Sequence, residues 1–324
     1  MMRATTAFRD NRVVLFYVVF LSVICSILLV DRSIVKSFQM DSTFTGNISA
    51  LDRLNSQKLA DGCYNIFLDV GANIGVHGRF LFEPESYPNA TKARAMFDRA
   101  FGANRDNRHF CVFAFEPNPV HRQRLKLLER VYMMMGWRYH PIFVGVSDED
   151  GQMRFYNRAD KEHNDWGFGA TRKIADEKVA AISIPVVRLA SWIKREIDGR
   201  KLPQGPEIRF NQSKWQPPKV VMKLDVEGLE TRVISDLITS GVFCQIDYVF
   251  GEMHYQPQFY PMHLRDGMSF NKSGDARDYV NGLDKLLSVS KHCNTFWERE
   301  DDESHLNDGI PFPIPPSKYM SRKD

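Results

Sequence analysis

The sequence predicts an α/β fold, a doubly wound and mostly parallel sheet of seven strands. Short apolar runs alternate with charged, helix-like stretches, the pattern of a parallel sheet covered by helices on both faces. A glycine-containing turn directly follows the first run, as in folds that bind a ligand at the carboxyl end of a strand. The composition, 43% hydrophobic and 26% charged over 324 residues, allows one large domain.

Five apolar runs are predicted to be core strands, and three stretches between them to be helices. The strands are 65–70, 111–115, 142–146, 219–226 and 246–253, and the helices are 120–135, 190–196 and 229–240. Residues 152–156 and 182–187 are predicted to be extra strands inserted before the fourth core strand. We expect a helical and loop excursion at 82–108 and a surface loop at 201–218.

An uncharged apolar run begins at Val13 and ends at Val30, which is long enough to cross a lipid bilayer core of about 30 Å as one helix. No good small-residue cleavage site follows it, so an anchor is favoured over a cleaved signal. The flanking basic residues slightly favour a cytoplasmic amino terminus. We therefore expect a cytoplasmic tail at 1–12, a transmembrane helix at 13–30, a stem at 31–62, a globular domain at 63–310 and an extended tail at 311–324.

The residues after this run fit a domain exposed to the lumen of the secretory pathway. Glycosylation acceptors of the type Asn-x-Ser/Thr begin at Asn47, Asn89, Asn211 and Asn271. Cys25 falls in the apolar run, which leaves for the domain Cys63, Cys111, Cys244 and Cys293. These four allow two disulfides with three possible connectivities, or four buried thiols. No CxxC pair occurs, and no metal ligand is predicted.

The first strand, NIFLDV, runs directly into the turn GANIGVHG. Gly71 permits a tight turn and close backbone approach, and Gly75 lets the next helix pack against the strand. The second strand ends in Glu116, where this fold presents a carboxylate to ribose hydroxyls. The glycines depart from the GxGxxG order of dinucleotide enzymes, which favours S-adenosylmethionine over a nicotinamide cofactor.

The fourth strand, KVVMKLDVEG, carries Lys223, Asp225 and Glu227 at the spacing that places side chains on one face. A central parallel strand is normally buried on both faces, so we expect these charges to line a cleft, the alternative being a solvated edge strand. The fifth strand ends in Glu252 and His254, which share a face. This histidine is expected either to act as a base towards a hydroxyl or to be a structural hydrogen-bonding residue.

Five motifs in this order resemble the FkbM family of S-adenosylmethionine-dependent methyltransferases. They are LDVGANIG at 68–75, FEPNP at 115–119, VGVSDEDG at 144–151, KLDVEGLE at 223–230 and GEMH at 251–254. The resemblance covers residues 65–254 and is silent on the substrate. It implies a Rossmann-like class I methyltransferase fold and O-methyl transfer to hydroxyls of small metabolites and sugars.

The resemblance also implies the residues that hold the cofactor. Those around its methionine part are Asp69, Gly71, Asn73 and Gly75. Glu116 would contact the ribose with Asn118 beside it, and Ser147 and Asp148 would approach the adenine.

For methyl transfer we expect His254 or Asp225 to act as base, Glu227 to orient the groups and Lys223 to stabilise developing alkoxide charge. With the expected compartment, this predicts a type II membrane protein of the Golgi or endoplasmic reticulum that methylates a hydroxyl of a glycan or glycoconjugate. Four aromatic side chains are candidates for stacking on sugar rings or for core packing: Trp166, Phe168, Trp215 and Tyr255.

Three other functions compete with this one. A lumenal glycosyltransferase would use Asp148, Glu149 and Asp150 as a DxD motif for a metal-bound sugar nucleotide, although the same acids suit a turn. A binding module would keep the cofactor site for structure alone. Ribose methylation of RNA is disfavoured, because the net charge of +3, from 43 basic and 40 acidic side chains, does not suggest a nucleic-acid partner.

Overall fold

Every residue of the first strand, Asn65–Val70 (β1), is buried, as expected for the centre of a parallel sheet. The computed structural model describes residues 57–157, 167–170, 181–203, 217–255, 261–265, 267–288, 293–299 and 308–315. All of them belong to one compact unit of the chain, residues 57–324.

Strands and helices alternate along the first half of this unit. In chain order they are β1, α1 (Val76–Phe82), α2 (Thr91–Phe101), β2 (Phe110–Phe115), α3 (Arg122–Met134), β3 (Arg138–Ile142), β4 (Gly145–Ser147), β5 (Gly151–Tyr156), β6 (Ala181–Arg188) and α4 (Leu189–Glu196). The second half contains β7 (Val220–Leu224), α5 (Glu230–Thr239), β8 (Tyr248–Gly251), β9 (Met262–His263), β10 (Ser269–Phe270), α6 (Ser273–Ser288) and β11 (Phe296–Arg299).

The central sheet has six strands in the order β11-β8-β7-β1-β2-β3, and every neighbouring pair is parallel. The α/β class and the parallel sheet are therefore confirmed, whereas the described residues contain six core strands rather than the predicted seven. From β1 the chain proceeds outward through β2 and β3, and later returns to β7 on the other side. The strand order thus reverses between β1 and β7, the place where open α/β sheets bind ligands.

The predicted strand at 142–146 is wrong, because the chain turns where it was expected to continue. The Val144 N–H donates to the Ile142 carbonyl, which ends β3 and separates it from β4. Strand β4 instead pairs with β6, and β6 pairs with β5, in a separate three-stranded sheet. The two predicted extra strands are confirmed, and this small sheet is where they lie.

Helices cover both faces of the central sheet. Phe67 of β1 packs in a cluster with residues of α1, α2 and α3. Ile66, Leu68 and Val70 point the other way, into a cluster with residues of α4 and α5. The doubly wound prediction is therefore confirmed, since alternate side chains of one strand enter two separate cores.

Two predicted strands end earlier than expected. Strand β7 stops at Leu224 because Glu227 and Gly228 have φ angles of 53° and 101°, which no extended strand accommodates. Strand β8 stops at Gly251, where a Cβ atom would lie 1.9 Å from the Leu224 carbonyl oxygen. The charged residues that follow both strands therefore sit in connections and not on strand faces.

Two disulfides join neighbouring strands of the sheet. Cys63 pairs with Cys111, and Cys244 pairs with Cys293. This selects one of the three possible connectivities, and four buried thiols are not found. Each bridge joins the chain near the amino ends of two adjacent parallel strands, β1 with β2 and β8 with β11.

The segment 308–315 packs on the domain, although it has no regular secondary structure. The fully buried Arg79 of α1 donates to the Asp308 carboxylate and to the carbonyls of Ile310 and Pro311. Its guanidinium also lies 5.2 Å from the ring centroid of Phe312. The first part of the predicted tail is thus attached to the helix that follows the glycine turn.

None of the helices in the described part of the chain has the length and apolar character needed to cross a membrane. Residues 1–56, with the predicted cytoplasmic tail, the run from Val13 to Val30 and most of the stem, lie outside the described residues. So do Asn47, Asn211, Trp166 and Trp215.

Candidate active site

A cleft opens at the carboxyl ends of β1, β2 and β7, at the point where the strand order reverses. It contains about 1010 Å³ of space between atoms, part of it open to solvent. Polar and charged side chains line one part of the cleft: Asn73, His77, Glu116, His121, Lys223, Asp225, Glu227 and Glu252. The apolar wall includes Met96, Phe115, Val144, Val146, Phe155, Phe168, Leu229 and Phe250.

The turn after β1 brings the backbone of two strands into close contact. The Gly71 and Ala72 N–H groups both donate to the Phe115 carbonyl at the end of β2. Gly71 has a φ of 83°, and a Cβ atom at this position would lie 1.7 Å from the Asp225 carbonyl oxygen. Gly71 therefore lines the cleft as predicted, and only glycine fits there.

Gly75 has a packing role and is not among the residues that line the cleft. A Cβ atom here would lie 2.7 Å from the Tyr139 hydroxyl and 2.8 Å from Leu128 of α3. Gly75 thus permits close packing against α3 and β3, whereas the prediction was packing of the next helix against β1.

Glu116 connects the two loops at the polar end of the cleft. Its carboxylate accepts hydrogen bonds from the Asn73 N–H at 2.6 Å and from the Asn118 N–H at 2.7 Å. Asn73 has a φ of 50°, a left-handed conformation that asparagine tolerates better than most residues. The Asn118 side chain is fully buried behind Glu116 and accepts from the Val120 N–H.

Asp69 is fully buried at the end of β1, beside the cleft and not on its surface. Neither of its carboxylate oxygens forms a hydrogen bond of good geometry among the described residues, although a backbone contact from the Gly78 N–H lowers its pKa. Burial raises the pKa of Asp69 to about 6, although the nearby Lys223 ammonium lowers it. A fully buried carboxylate with so few partners is costly, so a positive charge in the adjacent part of the cleft would be favoured.

Ser147 and Asp148 are also buried, but they do not line the cleft, whose wall is formed at this point by residues 144–146. Asp148 forms an ion pair with Arg232 at 2.6 Å and accepts from the Ser147 hydroxyl. Glu149 pairs with the same arginine, and Asp150 accepts from the Arg188 N–H. The acids of the possible DxD motif thus have partners within the protein, which leaves the glycosyltransferase interpretation without structural support.

Lys223 and Asp225 meet at the bottom of the cleft, as their spacing predicts. The Lys223 ammonium donates to the Gly71 carbonyl at 2.7 Å and to Asp225 Oδ2 at 2.9 Å. Burial lowers the pKa of Lys223, but Asp225 and Asp69 outweigh it and raise the pKa. Burial raises the pKa of Asp225, but the positive charges of Lys223 and His254 outweigh burial, so the pKa is lowered overall. The pair is therefore ionised.

His254 lies among four carboxylates. Its Nδ1 is 3.0 Å from Glu230, and its Nε2 is 3.4 Å from Glu252 and 3.8 Å from Glu227. Burial lowers the pKa of His254, but the hydrogen bond with Glu230 and the charges of Glu230, Glu227 and Asp225 raise it to about 10. A histidine that keeps its proton at neutral pH cannot accept one from a hydroxyl, so these neighbours disfavour the predicted role as base.

Glu230 is the positioning residue that the sequence analysis missed. Its buried carboxylate accepts from the Val226 and Gly228 N–H groups and holds the His254 ring. The signal was present, since Glu230 lies in the first turn of α5, where carboxylates commonly cap free N–H groups. Its contact with His254 could not be predicted, because the two residues are 24 positions apart in the sequence.

Two further sets of residues can be compared with the sequence predictions: the aromatic candidates for sugar stacking and the potential metal ligands. Phe168 lines the cleft, whereas Tyr255 packs beside the separate cluster that contains Met262. No metal ligand was predicted, yet Asp225, Glu227 and His254 each offer a ligand atom within 4.8 Å of the others. They are the one group of this kind in the described part of the chain.

Comparison with known proteins is consistent with this geometry. The sequence model of the methyltransferase FkbM domain matches residues 69–284, from the glycine turn to α6. No curated protein and no solved structure gives a significant match. The match covers most of the chain and all the motifs that form the cleft, and therefore this protein is a methyltransferase that belongs to the FkbM domain family.

Proposed function

We propose that this protein is an S-adenosylmethionine-dependent O-methyltransferase that acts on a hydroxyl of a glycan or glycoconjugate in the lumen of the secretory pathway. The observation that carries the cofactor assignment is the polar end of the cleft, where Glu116 joins the turns after β1 and β2 and Asp69 lies buried behind them.

The polar groups suit the charged and hydroxylated parts of this cofactor. Each Glu116 oxygen accepts one backbone hydrogen bond, and Oε1 also lies 3.4 Å from His121 Nδ1. Oε2 keeps a lone pair, and a carboxylate at this position can accept from ribose hydroxyls. The unpartnered Oδ1 of Asn73, a residue that lines the cleft, suits the ammonium of the methionine part, and the buried Asp69 carboxylate behind it adds electrostatic attraction.

The apolar wall suits the adenine ring. Val144 and Val146 belong to the turn and strand that leave β3, while Phe155 and Phe168 stack at 5.3 Å between ring centroids. A flat aromatic ligand against such side chains gains free energy from burial and from ring contacts. This supports an adenine position between β2 and the small sheet, with Ser147 and Asp148 behind the wall.

When bound, S-adenosylmethionine supplies a methyl group activated by a neighbouring sulfonium. The residues of the chain hold the acceptor and exclude water. Asp225 is the best placed to accept the hydroxyl proton, because it lines the cleft and its Oδ1 has no hydrogen-bond partner among the described residues. The ammonium of Lys223, fixed by the Gly71 carbonyl, stabilises negative charge on the acceptor oxygen.

Calorimetric titration of the full-length chain in detergent with S-adenosylmethionine tests the cofactor assignment. We expect saturable binding that weakens at least about 10-fold in Glu116→Ala, since a hydrogen bond to a charged group contributes about 1.5–3 kcal/mol. Glu85→Gln, which changes an exposed carboxylate outside the cleft, is the matched control and should bind like wild type. Folded protein that fails to bind the cofactor would refute the assignment.

The proposed lumenal compartment has its own support and its own test. Two disulfides are typical of an oxidising compartment, and both described acceptor asparagines, Asn89 and Asn271, are exposed. In a glycosylating cell we expect an endoglycosidase-sensitive shift that is lost when all four acceptor asparagines are replaced by glutamine. Unglycosylated protein with reduced cysteines would contradict lumenal exposure.

A further inference from the structure

We propose that Asp225, Glu227 and His254 bind a divalent cation, with Glu252 beside them, and that this cation holds the acceptor hydroxyl. The role towards the acceptor rests on the proposed function, whereas the cation site does not. The three ligand atoms lie within 4.8 Å of one another. Bonds of about 2.1 Å to one octahedral ion would separate ligand atoms by roughly 3–4 Å, so small side-chain rotations suffice to close the site.

The charge balance of the cluster favours a cation. Four carboxylates surround the His254 imidazole, from Asp225, Glu227, Glu230 and Glu252. The positive groups beside them are Lys223 and, when protonated, His254 itself, which leaves excess negative charge in a largely buried place. A divalent ion compensates this charge and, because metal binding requires neutral imidazole, takes the place of the His254 proton.

One oxygen of the Asp225 carboxylate has no hydrogen-bond partner among the described residues. Asp225 lines the cleft, and this oxygen, Oδ1, is buried, while Oδ2 is held by Lys223. A buried carboxylate oxygen without a donor is costly in the absence of a ligand. Oδ1 is therefore free to coordinate an ion without losing an existing contact.

The histidine is oriented as metal-binding histidines usually are. Glu230 holds Nδ1 at 3.0 Å and is itself fixed by the Val226 and Gly228 N–H groups. Nε2 is thereby directed towards Glu227 and Glu252. A carboxylate that receives the second ring N–H fixes the tautomer and raises the basicity of the nitrogen that binds the metal. Glu230 is thus a positioning residue for the site.

The carboxylate-rich set favours a hard ion, and Mn²⁺ is a suitable probe because it also accepts imidazole. A bound cation lowers the pKa of a coordinated hydroxyl. With the ion bound, both Asp225 oxygens are occupied, and in the step we infer the hydroxyl proton passes to the neighbouring Glu252 carboxylate, which lines the cleft, and then to water. The acceptor oxygen forms the new C–O bond, and the electron pair of the broken C–S bond goes to sulfur, which becomes neutral.

Mn²⁺ binding to the full-length chain in detergent can be followed by the loss of the EPR signal of free Mn²⁺. We expect about one ion per chain in wild type, and binding weakened at least about 10-fold in Asp225→Asn and in Glu227→Gln. Glu230→Gln, which removes the positioning carboxylate, should weaken it about 10-fold. Glu149→Gln is the control, since Glu149 is an exposed carboxylate outside the group and should leave Mn²⁺ affinity unchanged.

A wild-type chain that binds no Mn²⁺, with or without S-adenosylmethionine, would overturn the cation site, and so would full binding in folded Asp225→Asn and Glu227→Gln. Cofactor titration with a metal chelator present separates this result from a failure of the proposed function. If the cofactor binds and Mn²⁺ does not, the cation site alone is wrong. If Mn²⁺ binds and the cofactor does not, the site stands and its role towards a methyl acceptor falls.

Discussion

Asp69 has a completely buried carboxylate that forms no hydrogen bond of good geometry among the described residues. Burial raises its pKa from 3.8 to about 6, so the folded state prefers the neutral acid more strongly than the unfolded state does. The contribution of this group to the stability of the folded state is fully present below pH 3.8 and is lost as the pH rises through about 6. Above that pH, the ionised group costs about 3 kcal/mol of folding free energy.

Asp69→Asn removes this titration while keeping the shape of the side chain. Without cofactor, the stability of the variant relative to wild type should rise by about 1 kcal/mol between pH 5 and 7.5, the part of the effect that lies in this window. Urea unfolding at both pH values measures it. Asp61→Asn is the control: a hydrogen bond from the Lys201 N–H lowers the pKa of Asp61 below 3.8, so this carboxylate stays ionised between pH 5 and 7.5 and the relative stability of the variant should not change in this window. A pH-independent difference for Asp69→Asn would contradict this account.

Gly71 is the residue whose replacement the cleft tolerates least. A methyl group there overlaps the Asp225 carbonyl at 1.7 Å and also strains a φ of 83°. We expect Gly71→Ala to lower the free energy of unfolding by about 3 kcal/mol or more. Gly199→Ala is the matched control, with a φ of 61° and open space around it, and should cost about 1 kcal/mol. Equal losses in both variants would mean that the close approach at Gly71 is unimportant.

At the scale of elements, α1 depends on the carboxyl-terminal segment 308–315. The buried Arg79 holds both by pairing with Glu83 in its own helix and with Asp308. This contact fixes the helix that begins immediately after the glycine turn. The segment therefore supports the side of the cleft that the glycine turn forms. The prediction of a simple extended tail did not include this contact.

Removing Arg79 leaves the buried Glu83 without its cation, and it leaves the buried Asp308 with Arg124 as its remaining cationic partner. Arg79→Ala should therefore lower the free energy of unfolding by about 3–5 kcal/mol. Arg99→Ala removes an exposed ion pair with Glu298 and should cost at most about 1 kcal/mol. Chemical denaturation of the two variants compares them directly. If Arg79→Ala cost no more than its exposed counterpart, the segment would not be held by this contact.

For the molecule as a whole, the disulfides and the cleft lie at opposite ends of the parallel strands. The disulfides close separations of 48 and 49 residues near the amino ends of the strands, and the cleft lies at the carboxyl ends. In the chain-entropy description, each cross-link of this length stabilises the folded state by about 4 kcal/mol.

The paired replacement Cys244→Ser with Cys293→Ser should therefore lower stability by about 2–4 kcal/mol and leave cofactor affinity within about twofold of wild type. Denaturant unfolding and calorimetric titration of the same preparation give both quantities. A loss of affinity in protein that is still folded would show that the amino-end cross-link and the cleft are coupled.

Much of this architecture is predictable from local sequence patterns. Strand β1 was predicted at its observed bounds, and β2, β5, β6, α3, α4 and α5 lie within about two residues of their predictions. Periodicity and turn glycines act over a few residues, so they are readable without a fold. Strand β11 was missed because FWER is too short and too polar to show such a pattern, and its pairing with β8 depends on a distant part of the chain.

The amino-acid sequence thus suffices to predict the α/β class, the order of the main elements and the motif residues Gly71, Glu116, Lys223 and Asp225 in the cleft. The folded structure is required for the cysteine pairing, the separation of β4 from the central sheet and the contact between Glu230 and His254. The physical reason is distance along the chain. Local propensity selects helices, strands and turns, whereas contacts between remote residues depend on how all of these elements pack together.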